Sequence, residues 1–503
     1  MENKYDVIVV GGGMAGAFAA HPLVCAGKRV LMLDGGVERT EEPPATKGAD
    51  FADIRRTDPS QHELFLGRHL ETLSAAARKS HAAAMMSGNR SHVGRHTAEQ
   101  LPLSENGVHL LQSLAKGGLS EAWGGVCAIL SPQELEKIGL PSAMHQHYQT
   151  VLDIAGISGV EPSYRTQSST RLAPGAASLL ERYRTLDEKT RTMFPMRQPL
   201  LALLTEEKGD RNATRYADTD YYASDDRSIY HARFMIEEME RHENFSYRPG
   251  VVVQSVGTKE KIREVTARDF SGETSVFHAP RVILAAGTLN TTRIVMQSLG
   301  KTSAHLFVKP NRILACLDLT RLGARDDEAR HSLCQLTLEQ DDARGESEWY
   351  AHIYMYRSLL LWRLQEQLPL PAPEALSLLA LFAPSLVLVD ARVPGTESTC
   401  EVRLEHGIFT IQKSTEAPTE PLRPLKRFLR RLRLLLLYTS HPPLGASAHY
   451  AGGVDVGPSG EIEGIPGVYA ADASAWKALP AKPSALTIMA GAHRVGENVL
   501  RTL

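Results

Sequence analysis

The sequence is poor in cysteine and has none arranged in pairs. Its five cysteines, Cys25, Cys127, Cys316, Cys334 and Cys400, are odd in number, scattered, and never spaced CxxC. Neither a disulfide framework nor a cysteine-based zinc site is expected, no metal is expected, and a reducing compartment is the default. Positive charge is not in excess either. A formal net charge of −2 does not suit the counterion release that drives general nucleic-acid binding, so no nucleic-acid partner is expected. Long apolar runs are missing. The longest, residues 375–389, contains Pro384 and is too short for the ~20 residues that a membrane-spanning helix needs. The first residues lead straight into a glycine-rich turn, without the apolar stretch and cleavage pattern of a secretory signal. No internal repeat or low-complexity tract is present. These absences point to a soluble protein of the cytoplasm.

What is present is ordinary for a folded enzyme-sized chain: 43% hydrophobic and 23% charged residues, within the usual globular range. At 503 residues the chain exceeds what one hydrophobic core comfortably holds, so two domains are expected.

Residues 5–10 are β-branched and end in Gly11, Gly12 and Gly13; residues 15–26 read as a helix and 29–33 as a second apolar strand. Gly11, Gly13 and Gly16 therefore satisfy GxGxxG at a strand-to-helix turn. The first glycine allows the tight turn, the second lets the backbone approach a pyrophosphate, and the third lets the helix pack on the sheet. The opening of that helix, with Met14 and Ala15, offers unsatisfied N–H groups and a positive dipole end to phosphates. Asp34 closes the second strand, where a carboxylate can accept from ribose hydroxyls. A plain structural turn could also be glycine-rich, but the flanking strands and the terminal acid favour dinucleotide binding. They do not choose between a nicotinamide and a flavin.

Further along, residues 38–95 turn polar and proline-containing, with a helical stretch at 70–86, and read as an insertion or lid. Residues 227–241 and 484–500 read as helices; 251–256, 262–269, 281–285 and 467–471 read as strands. Residues 348–357 alternate, placing Tyr350, His352, Tyr354 and Tyr356 on one face. That face suits either packing within a sheet or lining a pocket. Residues 422–437 read as a basic amphipathic helix. A solvated peripheral face explains it, and contact with a membrane surface is the alternative.

Three segments resemble the glucose–methanol–choline (GMC) family of flavin oxidoreductases, especially its pyranose oxidase and cholesterol oxidase branches. The first runs from Gly117 and Gly118 through Ser120 and Trp123 to Gly124 and Gly125. It looks like the GG-x-S-x-x-W segment that passes the pyrophosphate and flavin edge. The second, residues 282–291, is similar to the family's LAAG strand-to-helix turn, here containing Ala286; Val252 lies upstream on a strand that in this family contacts the adenine. The third is the C-terminal block: His449 with Gly452 and Gly453, then Asp472 and Ala473, then Pro483 and Ser484.

The resemblance implies an α/β (α+β overall) architecture, a Rossmann-like FAD-binding domain with a second, sheet-plus-helices substrate-binding domain. The expected boundaries are 1–130, 201–308 and 441–503 for the first, and 131–200 and 309–440 for the second. It implies FAD as cofactor, held non-covalently because Leu114 stands where pyranose oxidases can carry a linking histidine. It implies oxidation of an alcohol to a carbonyl, with hydride transfer to flavin N5 and His449 as general base. The substrate class would be a sugar, glycoside, polyol or natural-product hydroxyl, and the electron acceptor oxygen or a carrier. A lyase or decarboxylase on the same scaffold, with no net oxidation, is the alternative. The family usually has Asn or His just before the C-terminal proline, whereas this chain has Lys482. An ammonium there could serve the chemistry, by binding the substrate oxygen or a reduced flavin, or could point to solvent.

Overall fold

Residues 7–10 read VIVV and are buried on both faces, as expected of a central parallel strand covered on each side. In the computed structural model, which describes residues 4–40, 63–66, 85–216, 227–324, 333–355, 368–405, 408–417 and 422–503, this strand centres a Rossmann-like sheet. The expected 38–95 insertion and its helical stretch fall for the most part outside the described residues.

The first 300 residues supply β1 (Val7–Val10), α1 (Met14–Cys25), β2 (Val30–Leu33), α2 (His145–Ala155), β3 (Phe245–Arg248), β4 (Arg281–Leu284) and α3 (Thr288–Leu299). The second half supplies β5 (Asn311–Asp318), β6 (Leu336–Asp341), β7 (Ser347–Tyr354), β8 (Leu386–Arg392), α4 (Leu422–Arg431), β9 (Leu434–Ser440), β10 (Val468–Ala470) and α5 (Ala485–Leu500).

The first sheet is five-stranded and parallel, in the order β10-β4-β1-β2-β3. Strand alternation divides its side chains between two cores. Val7, Val9, Val30 and Met32 meet α1 and α5 on one side. Ile8, Val10, Leu31 and Leu33 meet α3 and an antiparallel three-stranded sheet (Val251–Lys259, Ile262–Asp269, Thr274–Ala279) on the other. Helices α1 and α5 pack so closely that a Cβ on Gly496 would lie 2.3 Å from the carbonyl oxygen of Ala19. Strand β3 has no strong sequence signal, since only Phe245 of its four residues is buried.

The second large sheet is six-stranded and antiparallel, in the order β9-β5-β8-β7-β6 with Met196–Arg197 at the far edge. One face is apolar: Leu314, Cys316, Ala351, Ile353, Val387 and Val389 pack with Leu422, Leu425, Phe428 and Leu429 of α4. The other face carries the polar residues of the site described below. A further five-stranded sheet sets Tyr450–Ala451 against Ser303–Val308, with Val308 opposite Tyr450.

The structure corrects the basic helix expected at 422–437. The helix ends at Arg431, Arg433 adopts a left-handed φ of 58°, and the leucines that follow form edge strand β9 on β5. A sheet edge with open hydrogen-bonding positions outcompetes helix propensity for those leucines. The apolar side of α4 is already covered by the sheet. Burial is worth ~1.5–3 kcal/mol for each large apolar side chain, so this face is committed to the protein's own core. Among the described residues, no helix is long and apolar enough to cross a membrane.

Candidate active site

The turn between β1 and α1 is built as its glycines require. Gly11 has φ of +101°, and a Cβ there would meet the Ala285 carbonyl oxygen at 2.5 Å; a Cβ on Gly16 would lie 1.8 Å from the Gly11 oxygen. At Gly13 an added Cβ would meet nothing within 4 Å, because this residue faces a cavity of about 370 Å³ lined also by Gly11, Met14 and Ala15. Gly13 is the N-cap of α1 and no side chain caps the helix, so its leading N–H groups stay available to an anion.

Asp34 lines the same cavity. One carboxylate oxygen accepts from the Gly12 amide at 2.9 Å and the other from the Tyr247 hydroxyl at 2.7 Å. Burial pushes its pKa above the ordinary carboxyl value, against the pull of these donors. Each oxygen retains a lone pair for a ribose hydroxyl.

The second glycine segment comes directly against the first: a Cβ on Gly118, whose φ is +61°, would stand 3.2 Å from the Gly13 Cα. Gly117 turns the chain at φ of +97° and its carbonyl accepts from Ser120 at 2.6 Å. Ser120 also accepts from the Ala232 amide, and the Trp123 indole donates to the Tyr230 carbonyl at 2.8 Å. Gly118, Ser120, Trp123 and Gly124 line the cavity, as does Leu114; Gly117 and Gly16 shape the backbone behind it.

The remaining walls come from distant segments. Val252 and Ala286 border the cavity, followed by Asp472, Ala473, Pro483 and Ser484. Asp472 accepts from Thr291 at 2.6 Å and from the Ser474 amide at 2.9 Å, and burial raises its pKa. Helix α5 starts after Ser484 with no side-chain cap, and its first residue, Ala485, also lines the cavity. A second helix N-terminus thus has N–H groups available at the cavity wall.

His449 lies at the polar end. Its Nδ1 is 2.5 Å from the Ser447 carbonyl oxygen and its Nε2 is 3.3 Å from Arg392 Nη1. A carbonyl can only accept and a guanidinium can only donate. Nδ1 therefore carries the proton and Nε2 presents a lone pair. Burial, reinforced by the positive charges of Arg392 and Lys309, holds the imidazole pKa well below its ordinary value. The preceding residue, Ala448, has φ of 59°, a conformation that costs a non-glycine residue ~1 kcal/mol or more.

Arg392 is gripped by Asp390, with Nη2 and Nε at 2.8 and 3.3 Å from Oδ2, and Asn311 donates to the other oxygen at 3.0 Å. Burial pushes the Asp390 carboxyl up, but Arg392, His352 and Asn311 outweigh it and hold it well below the usual range. Strand register explains the grouping. Asp390 and Arg392 are two apart on β8, His352 pairs across from Asp390 on β7, and Asn311 pairs across from Arg392 on β5. Of the expected aromatic face, His352 and Tyr354 line the cavity, Tyr350 is buried outside the lining, and Tyr356 lies outside the described residues.

Two lysines stand behind this wall. Lys309 is fully buried; its amide donates to the His449 carbonyl at 3.0 Å and its ammonium nitrogen to the Lys482 carbonyl at 2.7 Å. Burial and Arg392 push its pKa well below the ordinary value. Lys482 goes elsewhere than either expected place. It is 7% exposed, is not in the cavity lining, and pairs with Glu134 at 3.1 Å and Glu339 at 3.7 Å. Burial opposes its charge, but those two carboxylates prevail and raise its pKa. Glu134 is itself held by the capping box it forms with Ser131. This placement corrects the reading of Lys482 as a group at the flavin or in solvent: the buried acids compete for the ammonium and win.

Arg392, Asp390, Asn311 and Lys309 are the polar residues that sequence reasoning missed. The strand-like run of β8, with an acid and a base two apart, is a faint signal that only the register makes legible.

The residues present fit a dinucleotide. Gly13, Gly124 and Gly287 all line the cavity, and a Cβ on any of them would project into open space. Two uncapped helix starts border the same cavity, along with apolar wall at Val10, Leu33 and Val252. Such a set suits phosphates at glycine turns and a flat ring against backbone.

A scan against protein families finds no match, and a search of curated proteins finds none. Among solved structures, a formate oxidase covers 99% of this chain and 98% of its own, with a TM-score of 0.60 at 12% identity. Pyridoxine 4-oxidase from Mesorbium loti covers 98% of both chains, with a TM-score of 0.58 at 14% identity. At these identities the likeness is one of fold. The chain has the fold of these oxidases over nearly its whole length.

Proposed function

We propose that this fold serves as an FAD-dependent oxidoreductase of the GMC kind that converts an alcohol group to a carbonyl, with His449 as general base. The observation that carries the reading is the unprotonated Nε2 of His449, accepting from Arg392 at 3.3 Å in the wall of a glycine-lined cavity.

Gly11, Gly13, Met14 and Ala15 would hold the pyrophosphate and Asp34 the ribose. Val252 would lie at the adenine, and Gly118, Ser120, Trp123, Gly124 and Ala286 along the body of the cofactor. Asp472, Ala473, Pro483 and Ser484 would hold the flavin end. Bound there, FAD supplies the acceptor for the hydride that leaves the carbinol carbon. Leu114 at the cavity wall offers no atom for a covalent link, which supports non-covalent binding. Segments 1–130, 201–308 and 441–503 would form the cofactor domain and 309–440 the substrate domain; of 131–200, placed with the latter by the sequence, residues 135–157 pack into the cofactor-domain core.

The chain's own part is proton transfer and positioning. Once the substrate hydroxyl replaces Arg392 Nη1 against it, His449 Nε2 takes the hydroxyl proton, and the Ser447 carbonyl keeps the ring in the tautomer that can do so. A positioned base of this kind contributes ~10²–10⁴-fold. Arg392 donates to the substrate oxygen as negative charge develops on it, while Asp390 and Asn311 keep the guanidinium from turning away. Asn311, His352 and Tyr354 offer further hydrogen bonds, which suits a polyhydroxylated or heteroatom-rich substrate. The neighbours' names give two different substrates, formate and pyridoxine, so the fold leaves substrate and electron acceptor, oxygen or a carrier, to this wall. The lyase alternative leaned on Lys482, whose charge is engaged by Glu134 and Glu339.

Anaerobic mixing of the purified protein with a panel of sugars, polyols and cyclic alcohols tests the reading. Loss of the oxidised flavin absorption with carbonyl formation is the expected result. A colourless protein that releases no FAD on denaturation overturns it, and product formed with the flavin still oxidised replaces it by the lyase.

A further inference from the structure

Outside the cavity, two helices bring together three metal-ligating side chains that the proposed reaction does not use. His147 projects from α2, and His493 and Glu497 project from α5. His493 and Glu497 are four apart, one helical turn, so they share a face. His147 Nδ1 and His493 Nδ1 stand 3.1 Å apart, His493 Nδ1 and Glu497 Oε1 3.9 Å apart, and all three donor atoms lie within 4.8 Å of one another. None of the three lines the cavity.

We propose that His147, His493 and Glu497 form a binding site for a divalent transition metal of the zinc class, which clips α2 to the C-terminal half of α5. A tetrahedral ion bonded at ~2.0–2.1 Å to two ring nitrogens holds them about 3.3–3.4 Å apart. The two observed spacings bracket that value. Two imidazoles and one carboxylate form a donor set suited to zinc or its neighbours rather than to magnesium or calcium, which prefer oxygen. The three donors leave a fourth position for water.

The ligands also have the right settings. His493 is buried at 5% exposure, while Glu497 is 24% exposed at its side chain, so an ion can enter from the Glu497 side. The second Glu497 oxygen is engaged by Arg501 at 3.4 Å, which leaves Oε1 toward the histidines. Helix α5 begins at the cavity wall and α2 packs along it. A bound ion would tie the far end of that helix to a neighbour that shares the core on this side of the parallel sheet.

The test uses the full chain as purified, stripped with a chelator and titrated with ZnCl2 by calorimetry and thermal unfolding. We expect one zinc bound per chain at micromolar concentration and an upward shift in Tm. Both should be lost in His147→Ala and the affinity weakened in Glu497→Gln, two variants at partly exposed positions. Absence of micromolar binding by the unmodified chain, or binding by both variants equal to it, overturns the proposal.

Discussion

His449 and Arg392 face each other across 3.3 Å, with only a lone pair on the imidazole side to receive the guanidinium proton. The pair sets the histidine's protonation state before any substrate arrives. Burial comes first among the forces that lower its pKa, and Arg392 comes next.

Replacing Arg392 should therefore move the pH profile in a definite direction. The base works when neutral, so activity is present above its pKa and lost as pH falls through it. Arg392→Met removes a neighbouring positive charge and leaves Asp390, which favours the protonated ring. The acid limb of kcat/KM should shift to higher pH, with a lower plateau because the substrate oxygen loses a donor. An acid limb that stays in place would show that His449 does not sense Arg392.

His449→Gln should retain FAD and lose turnover. The expected loss in kcat is ~10²–10⁴-fold, measured as the rate of anaerobic flavin reduction, with flavin content per chain unchanged. A comparable loss of flavin content would make the residue a cofactor ligand instead.

Lys482→Met should damage stability, not chemistry. Removing one partner from a buried ion pair costs ~3–5 kcal/mol, here by leaving Glu134 without its cation and Glu339 with Arg197 alone. The urea midpoint should fall while single-turnover flavin reduction in the folded fraction keeps its rate. Slowed reduction at undiminished stability would return Lys482 to the reaction.

Two glycines of the first turn should respond differently. Gly13→Ala places its methyl in open space, so the apoprotein should melt normally while FAD binds more weakly. Gly16→Ala drives a methyl into the Gly11 carbonyl at 1.8 Å. It should cost ~1–3 kcal/mol or more in folding, the usual range for overpacking. Comparing apoprotein Tm with FAD affinity separates the two.

Ala448→Gly should be tolerated or stabilising, because glycine occupies a φ of 59° without penalty. Ala448→Val should destabilise by ~1–2 kcal/mol and slow flavin reduction by displacing His449. Equal stability of the two variants would show that the left-handed conformation is not retained in solution.

The dinucleotide turn was legible because its determinants are local. Gly11, Gly13, Gly16 and Asp34 lie within 24 residues of one another in the chain, and each has a steric or hydrogen-bonding duty visible from spacing alone. Asp472 and the start of α5 were legible through the resemblance of the C-terminal block. Lys482 was not, because its partners Glu134 and Glu339 lie 348 and 143 positions away in the chain, and no spacing rule reports a buried ion pair of that kind. Arg392 and Asp390 escaped notice because their meaning depends on β7 and β5 lying on either side of β8. The run at 434–437 misled because a leucine-rich stretch carries no strong preference until a sheet edge claims it.

Strand β8 has a consequence for how this protein could change. Its residues alternate between two unrelated duties, with Val387, Val389 and Ala391 in the core and Asp390 and Arg392 toward the cavity. The same holds for β7, with Ala351 and Ile353 against His352 and Tyr354. Substitutions at His352 and Tyr354 can retune what the cavity accepts, while Asp390 and Arg392 stay bound to the reaction and the odd-numbered positions preserve the scaffold. A single inserted or deleted residue in either strand would exchange the two sets wholesale. Diversification by substitution is therefore open at the cavity-facing positions of β7, and diversification by changes in length is confined to the loops that join the strands.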